Sequence, residues 1–256
     1  MYPSVDEKVY IDAAEHFMVE RMACYEFSLL QSYFRFLKFH CPACSSVRRV
    51  TKTALAIANA LPVIPDLLTV ELAALLHDAL DRKYVSPEEA ADPYAFLLPL
   101  FQSAARDSQV NIVDDGRARQ VALIIDAVSW STEQKLRTTG KWSKWHDECP
   151  ELHCVQDADR LDAIGAFGIL RCAAFSGSRN LPLHVPQDDP AAGSSALQHF
   201  YDKLIHIRDQ LKTQPGKQLA DKRHQLLIHF MESVEEEYAA TCFPRTRETL
   251  PHSHLP

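Results

Sequence analysis

Residues 69–80 read TVELAALLHDAL, a run whose one charge before His77 and Asp78 is Glu71, so that no face of the helix is polar along its length. A helix with no polar face cannot lie on a surface, so it must be enclosed by other elements. At 12 residues it is also too short to span a bilayer. Pro65 and Asp66 mark its start, and the charged turn Asp81-Arg82-Lys83-Tyr84 marks its end. The fold must therefore be built around a short buried rod whose far end carries an imidazole and a carboxylate.

The elements that enclose the rod read as helices. Only 7 of 256 residues are glycine, fewer than β-rich folds spend on turns and bulges. Val47, Val50, Ala54, Ile57 and Ala58 recur at three- and four-residue spacing and form one apolar face. Ser86-Pro87-Glu88-Glu89 is a helix start, with Ser86 as cap and acids in the first turn. Residues 117–130 form another amphipathic helix, and the polar stretch 131–150, with Gly140 and Pro150, reads as a surface excursion. One helix is expected over 151–175, a loop over 176–194, and two further helices over 195–212 and 218–237. The fold class is all-α, a helical bundle. Its organisation is an atypical N-terminal helical segment over 1–46 carrying an insertion, one domain over 47–240, and a disordered tail over 241–256.

Charge narrows the partners. The chain has 27 Lys+Arg against 34 Asp+Glu, a formal charge of −7, and no basic run, which argues against a nucleic-acid polymer as ligand. No membrane-spanning window occurs. Seven scattered cysteines and no signal peptide point to reduced thiols and a cytoplasmic location.

Two clusters carry chemistry. His77 and Asp78 end an apolar helix, where ionisable groups are costly to bury without a partner. A metal ion offsets that cost; so does the plainer arrangement of a hydrogen-bonded core histidine and a helix-end carboxylate. The second cluster, Val155-Gln156-Asp157-Ala158-Asp159-Arg160-Leu161-Asp162, places three carboxylates and an arginine on a helix otherwise made of packing residues. Leu161, Ala163, Ile164 and Ala166 leave little of that helix for water, so its acids need ligands or donors.

Together, ELAALLHD and DADRLDAIGAFGI resemble the HD-domain superfamily of metal-dependent phosphohydrolases, and most closely the bacterial and fungal branch whose motif ends VQDADRLDAIGAIGIAR. The likeness runs through Ser129-Trp130-Ser131 and HFYDKLIHIRDQLKTQPGKQLADKRH, covering about residues 47–238. It implies an all-helical fold in which a His…His-Asp…Asp set binds a divalent ion and cleaves phosphoester or phosphoanhydride bonds. Some relatives hydrolyse nucleoside triphosphates to monophosphate and pyrophosphate. By motif, His77, Asp78 and Asp159 are metal ligands, and oxygen-rich ligation suits Mn²⁺ or Mg²⁺. A small phosphorylated substrate, a nucleotide above all, is the implied partner. Asp78, Lys83 and Asp162 stand as catalytic candidates. Arg49, Lys203 and Arg223 stand as phosphate-binding candidates, against the plainer reading of solvated charges at helix ends.

The likeness fails at one point. Relatives read His-(Val/Ile)-x-Arg-Val where this chain reads Ser46-Val47-Arg48-Arg49-Val50, so the first metal histidine is replaced by Ser46. Between Tyr25 and Val47 lie 21 residues with five aromatics where relatives keep a short His-Asp loop. Three explanations stand: a translated intron, a catalytically inactive relative that binds a nucleotide or partner, or replacement of the ligand by His40, Cys41 or Cys44. Cys41-Pro42-Ala43-Cys44 also admits a zinc or redox module, although no second ligand pair accompanies it. Losing one of four ligands predicts weak metal binding and slow hydrolysis.

Overall fold

The apolar run becomes the innermost helix of the structure, a computed structural model that describes residues 2–27, 42–81, 84–186, 189, 193 and 195–240. Numbered along the chain, the helices are α1 Val5–Phe27, α2 Pro42–Asn59, α3 Leu67–Leu76, α4 Pro87–Ala90, α5 Pro93–Ala105, α6 Arg117–Ala127, α7 Trp130–Thr138, α8 Lys144–Glu148, α9 Pro150–Asp162, α10 Gly165–Ser178, α11 Ala196–Asp202 and α12 Gln214–Ala240. A 3-10 helix, Leu204–Gln210, precedes α12. No strand occurs among the described residues, so the fold is all-α. Most of the 26–46 segment, the expected tail from 241, and Lys83 lie outside the described residues.

Asp66 caps α3, its carboxylate accepting from the Thr69 amide at 2.6 Å. Every α3 residue from Leu68 to Leu76 except Glu71 is buried, against α1, α2, α6 and α9. α2 begins at Pro42, so Ser46 and Val47 share one helix, which packs on α9 and α3 through Val47, Val50, Ala54 and Ile57.

Three expectations change. The single helix over 151–175 is two helices. α9 ends at Asp162 and α10 starts at Gly165, whose φ of +77° is a left-handed conformation that a Cβ would strain. Its flanking residues all favour helix, so the periodicity carried across the break. The 195–212 helix also divides, into α11 and the 3-10 helix.

The third change lies within 131–150, which is largely exposed, as its polarity suggests, but is not polar surface throughout. It contains α7 and α8, and Glu133 in α7 is among the most buried charges of the chain. Glu133 accepts from the Arg160 guanidinium at 2.5 Å and the Arg137 guanidinium at 2.9 Å, and is ion-paired with the Lys212 ammonium at 3.0 Å. Burial by itself raises a carboxyl pKa, but the Arg160 hydrogen bond and charge, followed by Lys212, hold Glu133 down at about 2. Trp142 covers the cluster, with Arg137 at 4.1 Å and Lys212 at 4.5 Å from its ring centre.

The acids of α9 find donors, as their burial demands. Asp157 has no exposed surface and accepts from the Lys212 amide at 2.9 Å, the Thr213 amide at 2.7 Å and the Thr213 hydroxyl at 2.7 Å. It thereby fixes the start of α12 on α9. Gly216 lies so close that a Cβ there would meet Asp157 Oδ2.

Two outcomes follow. Glu133 has a folded-state pKa below its ordinary 4.5, so the stability it confers is complete above pH 4.5 and is lost as the pH falls toward 2. Chemical denaturation from pH 6 to pH 2.5 should show a loss on the order of 3 kcal/mol that Glu133→Gln, already weakened at pH 6, does not show. Second, a Cβ at Gly168 would stand 2.3 Å from the Ala163 carbonyl oxygen. Gly168→Ala should therefore cost about 1–3 kcal/mol of unfolding free energy.

Candidate functional site

The buried end of α3 delivers His77. Its backbone is still helical, and its Nδ1 lies 2.7 Å from the Ala74 carbonyl. A carbonyl only accepts, so Nδ1 carries the proton and Nε2 of the neutral ring presents a lone pair. That nitrogen stands 3.8 Å from Asp78 Oδ1 and 3.7 Å from Asp159 Oδ1. Asp78 reaches the spot from the turn after α3, held by the Ala79 amide on Leu76 O and the Asp81 amide on Asp78 O. Asp159 reaches it from the last turn of α9.

A lone pair facing two carboxylate oxygens is repulsive unless a cation lies among them or a proton sits on Nε2. The imidazole side chain is 5% exposed, whereas Asp78 and Asp159 keep 37% and 36% of their side-chain surface, so the set opens to solvent on its carboxylate side. Burial lowers the His77 pKa, but Asp78 and then Asp159 outweigh it and raise the value. Burial, together with Asp78, raises Asp159 against the opposing pull of His77. Both shifts express the same need for positive charge at this point.

One turn beyond Asp159, Asp162 organises a second group. Its carboxylate, 5% exposed, accepts from Arg49 through Nε at 2.7 Å and a terminal nitrogen at 3.0 Å. It also accepts from Arg171 at 2.5 Å and from the Ser46 hydroxyl at 2.6 Å. Burial pushes its pKa up, but the hydrogen bonds from Arg49 and Ser46 and the Arg171 charge hold it below the usual carboxylate range. Arg223, from α12, donates to the Leu161 carbonyl, and its stem lies over Gly165. The Asp162 and Arg49 charges both act on Arg223, and the Arg171 charge acts on Asp159, so the two groups adjoin.

The sequence candidates thus separate. His77, Asp78 and Asp159 converge, and Asp162, Arg49 and Arg223 gather beside them. Lys203 is exposed at the end of α11, and its amide bonds His199 O. Arg171 was not among the candidates; it stands nine residues after Asp162, and only the break between α9 and α10 folds it back.

His77, Asp78 and Asp159 have the donor chemistry for a hard divalent ion: one neutral imidazole nitrogen and two carboxylates. Their separations leave the set open, and among the described residues no group of three or more His, Cys, Asp or Glu is closed enough to hold a metal outright. Ser46, at the position of the expected first ligand, turns its hydroxyl to Asp162. Cys44 is buried in the core between α2 and its neighbours.

Residues 46–164 match the HD domain family model. The chain is 31% identical to Bacillus subtilis YpgQ over 172 residues, which is 67% of this chain and 73% of YpgQ. Among solved structures it is similar to the Lin1889 protein of Listeria innocua, at 27% identity, a TM-score of 0.62, and coverage of 91% of this chain and 97% of that one. An HD-superfamily hydrolase from Bacillus thuringiensis matches at 25% identity and a TM-score of 0.58, over 88% of this chain and 99% of that one. YpgQ in complex with ADP has the same fold, at 24% identity and a TM-score of 0.58, over 90% of this chain and 96% of that one.

Removing the charge of Asp162 leaves Arg49 and Arg171 facing each other without compensation. Asp162→Asn should lower the unfolding free energy by about 1–3 kcal/mol, below the full cost of breaking a buried pair because Arg171 is 51% exposed and screened. Asp107→Asn, at an exposed position, should stay within about 0.5 kcal/mol in the same urea titrations.

Proposed function

The chain belongs to the HD-domain family, and from that premise we propose that it is a divalent-metal-dependent phosphohydrolase acting on a nucleotide or another small phosphorylated metabolite, slowed by the loss of one metal ligand. The observation that carries this reading is His77 Nε2 held within 3.8 Å of carboxylate oxygens from Asp78 and Asp159, an arrangement that favours positive charge at this point. The three residues would hold Mn²⁺ or Mg²⁺, which when bound polarises a phosphoryl oxygen and lowers the pKa of a bound water.

The protein's own groups do the rest. His77, anchored to Ala74, keeps one tautomer and one ring orientation, which fixes the position of Nε2. Asp78 and Asp159 supply the negative charge that attracts the ion to the open side of the set. Arg49 and Arg223, beside them, supply positive charge for phosphate oxygens, and guanidinium forks match those oxygens in pairs. Lys83, five residues after Asp78, is a candidate for catalysis, and Lys203 a candidate for closing the pocket over the substrate. The nucleotide class is supported by YpgQ, the relative crystallised with ADP. Cleavage of a nucleoside triphosphate to monophosphate and pyrophosphate is the finer form of the same reading.

One observation favours a second reading, an HD-fold protein that binds a nucleotide or a partner without hydrolysing it. Ser46 stands where the first ligand is expected, and its hydroxyl is engaged by Asp162. The two readings separate in a phosphate- and pyrophosphate-release screen over nucleoside mono-, di- and triphosphates with Mn²⁺ or Mg²⁺. Slow hydrolysis that a chelator or His77→Ala abolishes, and that Ser46→His accelerates by roughly tenfold or more, is the expected result. Hydrolysis in neither chain, with nucleotide binding intact, establishes the second reading instead.

A further inference from the structure

We propose that Arg171, together with Arg49 and Arg223, forms a cationic arm that holds the di- or triphosphate chain of a nucleotide, and that this arm binds phosphate without a metal ion, with Asp162 as its positioning residue. The inference rests on the reading of the pocket as a phosphohydrolase site and adds to it a residue, a division of labour and an order of binding.

Charge is the first reason. Two guanidinium groups, Arg49 and Arg171, bond the Asp162 carboxylate and a third, Arg223, lies within reach of its charge, so Asp162 neutralises one of three positive charges and leaves two. Like charges gathered this closely repel, and an anion is what relieves them. The negative groups of the pocket, Asp78 and Asp159, lie on the His77 side, so positive and negative charge are segregated into two adjoining arms. Phosphate oxygens are drawn to one arm and a divalent ion to the other.

Donor geometry is the second reason. Arg171 spends one terminal nitrogen on Asp162, and Arg223 spends one on Leu161 O, so among the described residues the remaining N–H groups of both forks make no hydrogen bond. Arg171 is 51% exposed, which leaves those groups open to a ligand. The forks are also held in place before any ligand arrives. Arg49 is gripped twice by Asp162, and its guanidinium lies 4.1 Å from the centre of the Phe167 ring. The Arg223 stem passes over Gly165, where a Cβ would crowd it at 3.0–3.3 Å. Donors fixed in advance lose less entropy on binding.

A purely structural role would make these arginines braces between α2, α9, α10 and α12, with no bearing on anion affinity. The experiment is calorimetric titration of the full chain with pyrophosphate and with ADP, in chelator and again with Mn²⁺. The expected result is measurable pyrophosphate binding in chelator. Arg171→Gln should weaken it about tenfold or more, and Arg171→Lys, which keeps the charge and loses the fork, should weaken it less. Arg179→Gln, an exposed cation at the other end of α10, should leave affinity within about twofold. Arg171→Gln should unfold at nearly the wild-type temperature, because the side chain is half exposed. Equal affinity in Arg171→Gln and the wild type would overturn the proposal, and so would binding that appears only with Mn²⁺. Binding in chelator without hydrolysis in Mn²⁺ would support the arm and overturn the hydrolase reading. Hydrolysis without chelator-resistant binding would do the reverse.

Discussion

The carboxylate of Asp162 is the point on which the site depends. With 5% of its side chain exposed, it collects the Arg49 fork, a nitrogen of Arg171 and the hydroxyl of Ser46, and so binds α2, α9 and α10 at one atom pair. A buried carboxylate of this kind is costly alone and stable only when its lone pairs are matched by donors. Those matches fix where α10 leaves α9, and hence where Phe167 and Arg171 stand. They also fix α2 against α9, one turn from Asp159. The pocket is therefore a by-product of satisfying one acid.

The same logic runs along the whole of α9. Asp157 draws the start of α12 onto the helix through two amides and a hydroxyl, Arg160 draws Glu133 of α7, and Asp159 turns to His77 of α3. Asp157, Asp159, Arg160 and Asp162 each address a different neighbour, which is why so charged a stretch can be buried. Only Asp159 among them faces another carboxylate, Asp78, across His77 without a donor of its own, and the proposed ion site rests on that. Stability and chemistry are thus read from one rule applied four times, with one exception left open.

Much of this was legible in the sequence. The apolar run before His77 could only be an enclosed helix, and α3 is enclosed. The acids on a packed α9 had to find partners, and Asp157 and Asp162 are hydrogen-bonded. The family likeness supplied the pairing of His77 and Asp78 with Asp159. What stayed hidden depends on the chain turning back on itself. The break at Ala163 and Ile164 lies among helix-forming residues, and only the left-handed Gly165 reveals it, so Arg171 looked remote from Asp162. Glu133 looked solvated because its neighbours in sequence are polar, while its partners Arg160 and Lys212 come from distant segments. Ser46 stood out as a departure, but that its hydroxyl would serve Asp162 needed the packing of α2 on α9.

The proposed chemistry requires that the open set of His77, Asp78 and Asp159 attract a divalent ion with Ser46 in place of a fourth ligand. Electron paramagnetic resonance of Mn²⁺ titrated into the chain measures this directly, since the free-ion signal falls as the ion binds. One weak, saturable site that disappears in His77→Ala and tightens in Ser46→His is the predicted result. An undiminished free-ion signal at every protein concentration, or a site indifferent to His77, would contradict it.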